Sequence, residues 1–291
     1  VILQQMIRAF ATRVLSLSAF STRFNGIRLE GTDKVAVPYF ALDTTASTDF
    51  VAANGYDTFG NTNSDAKTIT VDKRKYQGLK WTSSELVRQP FMDVGMGAML
   101  KGEQLGLDVV NTVLALVTLA TYGAAVKTEA ANAFDSDDVM DLKGVADLAN
   151  WPAAGRSLIL NSAYDVNLLK DNAIKNAMNF GDNAPIREGR IVRIGGFDYY
   201  PDARVPGNSE NLEGFIVWKS ALLVGFSPVG PTQEVRNLLT RYEVVEEPTT
   251  GASFEYRLWG DADLDTTKEI IESNFGCIAG EPTALKRITS A

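Results

Sequence analysis

Carboxylates are the most numerous groups in this chain that could do chemistry, and two clusters stand out. Asp135, Asp137 and Asp138 flank Ser136, and Asp261, Asp263 and Asp265 alternate along a polar stretch. Oxygens at such spacing could hold calcium. The first cluster, however, lacks the Gly and the distal Glu of an EF-hand loop. It is read as the solvated start of a helix, and the second as a polar turn before one. Nucleophile chemistry is thinner still. Cys277 is the one cysteine and histidine is absent. Missing with it are the commonest general base, the commonest zinc ligand, and the Ser-His and Cys-His pairs. Cys277 is expected to be a small core residue. Gly95-Met96-Gly97 lies inside a helical pattern, and Gly195-Gly196 sits between strands, so neither is a phosphate loop. No catalytic residue, metal or cofactor is expected, and the chain is not read as an enzyme. The alternative within enzymology is a histidine-free, carboxylate-dependent α/β enzyme. That requires a deep pocket holding a carboxyl of raised pKa.

The positions that carry basic charge are few. Lys and Arg total 28 against 36 Asp and Glu, a net charge of −8. Phosphate binding is carried by Lys and Arg, so contact with double-stranded DNA is expected to be local and non-specific. The sharpest basic run is Lys73-Arg74-Lys75. It lies between Lys67–Asp72 and Tyr76–Thr82, two stretches of β-branched and aromatic residues in rough alternation. This predicts a hairpin with a basic turn. Two strands alone are marginal in water, so the hairpin would need a neighbour to lie on. A solvated tip and a docking point are both open for the run. The acceptor proposed for docking is Glu246-Glu247 of another copy, beside a hairpin tip at Pro248, Thr249, Thr250 and Gly251.

The elements around these residues follow from the pattern. Val1 to Glu30 reads as an arm with some helix and no core of its own. Val35 to Phe40 is an edge or terminal strand because of Pro38, and Thr44 to Ala66 is a polar loop. Phe91 to Tyr122 reads as one helix of about 30 residues, about 45 Å at 1.5 Å per residue. Helices are expected from Asp135 to Leu148 and from Ser162 to about Phe180, with a strand at Ser157–Asn161 between them. A strand pair spans Gly189 to Tyr200, a strand Phe215–Trp218, and a short helix or turn Lys219–Leu223. Glu234–Glu247 and Phe254–Gly260 form a long hairpin. A short helix near Thr266–Ser273 and a strand at Cys277-Ile278 finish the chain. With 45% hydrophobic residues, the chain can bury one large core or two coupled ones. No apolar stretch reaches membrane-spanning length, and the first residues lack the charged region of a signal peptide. A lone cysteine suits a reducing compartment.

This order of elements resembles the major capsid proteins of tailed bacteriophages with the α+β Hong Kong 97-like fold. The local phrases Leu160-Asn161-Ser162-Ala163-Tyr164-Asp165, Gly196-Phe197-Asp198-Tyr199-Tyr200-Pro201 and Gly214-Phe215 leading to Ala221-Leu222 fit it. The resemblance implies an N-terminal arm and first strand at 1–43 and an extended loop at 44–82. It implies a peripheral domain with a spine helix from 83–127 and 229–291, and an α/β axial domain at 128–228. It also implies self-assembly as pentamers and hexamers into an icosahedral shell enclosing double-stranded DNA. Scaffolding protein and portal would be partners during assembly, with a cement or decoration protein optional and no membrane involved. The place implied is the virion capsid, assembled in the host bacterial cytoplasm. An encapsulin-like compartment shell is the alternative on the same fold.

Overall fold

The computed structural model describes residues 2–19, 27–28, 34–40, 47, 49, 50, 52, 53, 64–88, 94–174, 191–247 and 250–291. The chain opens with α1 (Ile2–Val14), a 3-10 turn (Leu15–Ala19), β1 (Ile27–Arg28) and β2 (Lys34–Phe40). Then come β3 (Ser64–Thr70), β4 (Lys73–Thr82), α2 (Ser83–Arg88), α3 (Val94–Leu114) and α4 (Leu119–Tyr122). The middle holds β5 (Lys127–Thr128), α5 (Ser136–Leu148), β6 (Arg156–Leu160), α6 (Ser162–Lys170), β7 (Arg193–Ile194) and β8 (Phe197–Pro201). The remainder is β9 (Leu212–Trp218), β10 (Leu222–Phe226), α7 (Gln233–Asn237), β11 (Arg241–Glu246), β12 (Ser253–Asp261), β13 (Thr266–Ala279) and β14 (Leu285–Thr289).

The N-terminal segment is not a coreless arm. Leu3, Met6, Phe10 and Val14 recur at helical spacing and all are buried. They pack α1 against α3 because α3 carries glycines where the two backbones meet. A Cβ at Gly102 would sit 2.5 Å from the Met6 carbonyl oxygen, and one at Gly106 2.9 Å from Arg13 Cβ. Phe10 stacks edge-on against Phe254 at 5.1 Å, which ties α1 to the sheet below. Arg13 and Glu103 pair at the rim of the contact.

The spine helix is shorter than its hydrophobic pattern implied. α3 ends at Leu114, and α4 starts afresh after Thr118. The cause lies elsewhere in the chain. Asn208 Nδ2 donates to the Leu114 and Val117 carbonyls at 3.1 and 2.8 Å. Glu210 accepts from the Leu119 N–H at 2.7 Å. A loop remote in sequence thus satisfies the end of one helix and the start of the next.

Among the described residues, three sheets organise the strands. β13 is the centre of a five-stranded antiparallel sheet, with β4 on one side and β10 and the β12–β11 hairpin on the other. The helix expected at Thr266–Ser273 is part of this strand. Pairing along both edges leaves six consecutive residues, Ile271 to Gly276, buried, so tertiary context overrides the local preference. The expected strand from Glu234 begins only at Arg241, after α7. Lys219-Ser220 is a turn, and β10 follows it where a short helix or turn had been expected to run to Leu223.

The second sheet is six-stranded and mixed, in the order β5-β14-β9-β6-β8-β7. α5 and α6 cover it through Val139, Leu142, Ala146, Tyr164 and Leu168, packed with Leu158, Phe197 and Ile216. Asp135 caps α5 by accepting from the Asp137 and Asp138 amides, and Asp138 returns a bond to the Asp135 N–H. α6 closes at Asp171, and its expected continuation beyond residue 174 lies outside the described residues. The third sheet, β1-β2-β3, shares no hydrogen-bonded strand with the other two. Among the described residues, no helix is long and apolar enough to cross a membrane.

Candidate assembly surfaces

Lys73, Arg74 and Lys75 do not form a turn. They are the first three residues of β4 and pair with Phe275, Asn274 and Ser273 of β13. The reversal sits just before them, at Val71-Asp72, where the Asp72 N–H donates to Thr70 O at 3.1 Å. The expected hairpin of 67–72 with 76–82 is therefore absent. β3 pairs with β2 instead, and β4 lies on the sheet of its own subunit. Three consecutive cations look like a turn, but in this strand one of them meets buried acids.

Those acids form a network on the sheet face away from α3. Arg74 makes a two-pronged bond to Glu272, 2.7 Å from Nε to Oε1 and 2.9 Å from Nη2 to Oε2. Glu272 stands directly across from Glu255. Arg257 joins them, with Nη2 2.7 Å from Glu255 Oε2 and 3.6 Å from Glu272 Oε1. Asn274 Nδ2 donates to both carboxylates, and the Tyr242 hydroxyl donates to Glu255. The bond to Glu272 holds the Arg74 guanidinium more firmly in its charged form, against a smaller opposing effect of burial. Sequence reading missed this network. Its charged members come from three strands, β4, β12 and β13, whose pairing the sequence pattern does not reveal. On the other face Glu269 is buried and accepts from the Tyr256 hydroxyl at 3.1 Å. Burial pushes its carboxyl pKa up.

Glu246 is exposed at the end of β11, whereas Glu247 is buried inside the hairpin tip. Glu247 Oε2 accepts from both the amide and the hydroxyl of Thr250 at 2.6 Å. Gly251 turns the tip at φ 71°. Pro248 and Thr249 lie outside the described residues. Of the basic run, Arg74 is engaged within its own subunit, and Lys73 lies 3.1 Å from Asp72. Lys75 is exposed on β4. The structure therefore does not bring Lys73, Arg74 or Lys75 to Glu246 or Glu247 within one subunit.

The acidic turn at Asp261 to Asp265 borders an open cleft of about 380 Å³, with Ser83, Leu238, Thr240 and Thr266 on its walls. Asp261 holds Lys268 at 3.0 Å and accepts from the Leu264 amide. Lys268 lowers the Asp261 pKa, opposite to what a general acid needs. Asp265 accepts from the Ser83 hydroxyl at 2.8 Å. Cys277 packs near the Thr112 carbonyl, and burial raises its thiol pKa, which disfavours the reactive thiolate. Among the described residues, no three His, Cys, Asp or Glu side chains are placed to hold a metal ion.

The described surface also exposes large apolar side chains. Met96, Met99 and Leu100 form a row on α3, and Tyr76 stands out from β4. Met140 and Leu148 do the same on α5, with Leu148 86% exposed. Scattered apolar residues are ordinary on a protein surface, so the contiguous row on α3 is the more informative of the two.

No family model matches the chain, and no curated protein matches it. Solved structures do. The capsid structure of cyanophage P-SCSP1u aligns over 94% of this chain and 86% of that chain, with a TM-score of 0.62 at 13% identity. The mature capsid of bacteriophage PhiM1 aligns over 93% and 84%, with a TM-score of 0.56 at 10% identity. A structure from Mycobacterium phage Che8 aligns over 88% and 84%, with a TM-score of 0.55 at 16% identity. With a spine helix on an antiparallel sheet, a second mixed sheet covered by two helices, and a separate ribbon, the chain has the α+β fold of the Hong Kong 97-like capsid subunits.

Proposed function

We propose that this chain is the major capsid protein of a tailed phage, assembling as pentamers and hexamers into an icosahedral shell around double-stranded DNA. The observation that carries this reading is the near end-to-end likeness to capsid subunits, 94% of this chain against 86% of the cyanophage one. A likeness confined to a common α/β core would have left the ribbon and the spine helix unmatched. The physical logic agrees. The ribbon has its own small sheet, and α3 exposes an apolar row, features that neighbouring copies would cover.

In this reading the body built on α3 and the five-stranded sheet is the peripheral domain, and the six-stranded sheet with α5 and α6 is the axial domain. The division differs in four ways from the one read in the sequence. α1 joins the peripheral core, β4 leaves the extended loop for the peripheral sheet, β10 leaves the axial stretch for that same sheet, and β14 pairs with β9 of the axial sheet. The extended loop is then the β2–β3 ribbon and the residues between its strands. Scaffolding protein and portal are the partners such a shell requires during assembly, and a cement protein would bind its outside. The role is structural and not enzymatic, and the place is the virion capsid, assembled in the host bacterial cytoplasm.

The test is the size of the purified protein. Negative-stain microscopy and sedimentation should show closed isometric particles of many copies. Particles that protect nucleic acid from nuclease favour a genome shell over a cargo compartment. A chain that stays monomeric at high concentration, in the presence and absence of a crowding agent, would refute the reading.

A further inference from the structure

We propose that Lys67, Ile69 and Gly276 form a clamp that fixes the direction in which the β2–β3 ribbon leaves its own subunit, so that the ribbon is already aimed when it meets a second copy of this chain. The second half of this statement rests on the shell reading.

The ribbon needs such a device. Its sheet has three strands, one of them only two residues long, and it shares no hydrogen-bonded strand with the body. A small ribbon of this kind is marginal in water without support. Its ladder runs for seven residue pairs, from Lys34 with Thr70 to Phe40 with Ser64. That is a reach of about 20 Å at about 3.3 Å per residue. A freedom of about ten degrees at the root would move the far end by about 3 Å.

Three contacts remove that freedom, all on the last residues of β3. Lys67 Nζ donates to the carbonyls of Ala279 and Gly280, at 3.1 and 2.7 Å. These carbonyls stand at the end of β13, the central strand of the body. Ile69 is 1% exposed, and its Cγ2 lies against Gly276 of β13. Gly276 supplies the close approach. A Cβ there would fall 2.6 Å from Ile69 Cγ2 and far inside contact distance of the Thr70 carbonyl. Only glycine lets the ribbon cross β13 at this height. Immediately after the crossing the chain turns at Val71-Asp72 and enters β4, which Arg74 ties to Glu272. The ribbon is thus held from both sides of the turn.

A preset ribbon lowers the cost of association, because ordering a free arm on binding consumes part of the contact energy. Lys67 and Gly276 are therefore positioning residues for assembly, although they need not touch the neighbouring copy.

The experiment compares wild type with Lys67→Met, Lys67→Arg and Gly276→Ala. Amide hydrogen exchange is read in the unassembled subunit, and the onset concentration of particle formation is read by light scattering. Lys67→Met should speed exchange across 64–70 about ten-fold, the loss expected for a charge-assisted bond, while 266–279 stays protected. Its onset concentration should rise by a similar factor. Lys67→Arg should restore both, because it keeps the charge and the donors. Gly276→Ala should act in the same direction, and should it fail to fold, Lys67→Met alone decides. Unchanged exchange at 64–70 in Lys67→Met overturns the clamp. Faster exchange with an unchanged onset concentration overturns its role in assembly. If wild type forms no particles, the shell reading and the assembly role fall, while the exchange comparison still judges the clamp.

Discussion

Replacing Arg257 with Met should destabilise the subunit by about 3–5 kcal/mol, the loss expected when one partner of a buried ion pair is removed. Glu255 and Glu272 face each other across β12 and β13 and are 0% and 3% exposed. Like charges at such a pair destabilise a sheet, and each ion has given up its hydration. Arg257 is the cation that reaches both, and its side chain is itself 12% exposed. Arg74 cannot substitute for it. Its side chain is 63% exposed and its hydrogen bonds go to Glu272. Met nearly matches the Arg stem in length, so packing changes little and the loss is chiefly electrostatic. The assay is urea unfolding of the unassembled subunit for Arg257→Met, Glu255→Gln, the double variant and Arg74→Met. The double variant should be more stable than the sum of the singles implies by at least about 1 kcal/mol, the signature of directly interacting groups. Arg74→Met should lose about 1 kcal/mol or less because water screens it. A loss below 1 kcal/mol for Arg257→Met, or additive singles, would refute the account of these acids as a balanced buried network.

Two glycines should respond oppositely to the same change. Gly144→Ala on the outer face of α5, where an added Cβ meets nothing within 4 Å, should gain up to about 1 kcal/mol of helix propensity. Gly102→Ala should instead lose about 1–2 kcal/mol, because overpacking against the Met6 backbone outweighs that same gain; thermal melts distinguish the two. Glu269 should leave a mark on the pH dependence. Burial raises its pKa from an ordinary 4.5, so its contribution is fully present below pH 4.5 and is lost as pH rises through the native value. Glu269→Gln should therefore flatten that part of the stability profile and gain most over wild type near neutral pH, as read by unfolding from about pH 4 to about pH 8.

Local chemistry was legible in the sequence wherever one residue decides a local event. Asp135 before an acidic first turn marked the start of α5, and Gly251 a turn between the paired strands β11 and β12. The order of elements was enough to reach the α+β capsid fold. The candidate docking site was legible only as a composition. Lys73 to Lys75 were visible as cations, but their strand and the buried acid that Arg74 meets were not.

What the sequence by itself determined is where chain segments want to be extended, helical or turned, because those preferences come from each residue and its near neighbours. Which strand pairs with which was decided only in three dimensions. β4 joined β13 across nearly two hundred residues of chain, and β13 became a strand where Thr266–Ser273 had read as helix. α1 became core because Gly102 and Gly106, far along the chain, leave room for its backbone. α3 stopped early because Asn208 arrives to bind its last carbonyls. In each case the deciding partner is remote in sequence, and a local pattern carries no information about a contact that only the folded chain brings within bonding distance.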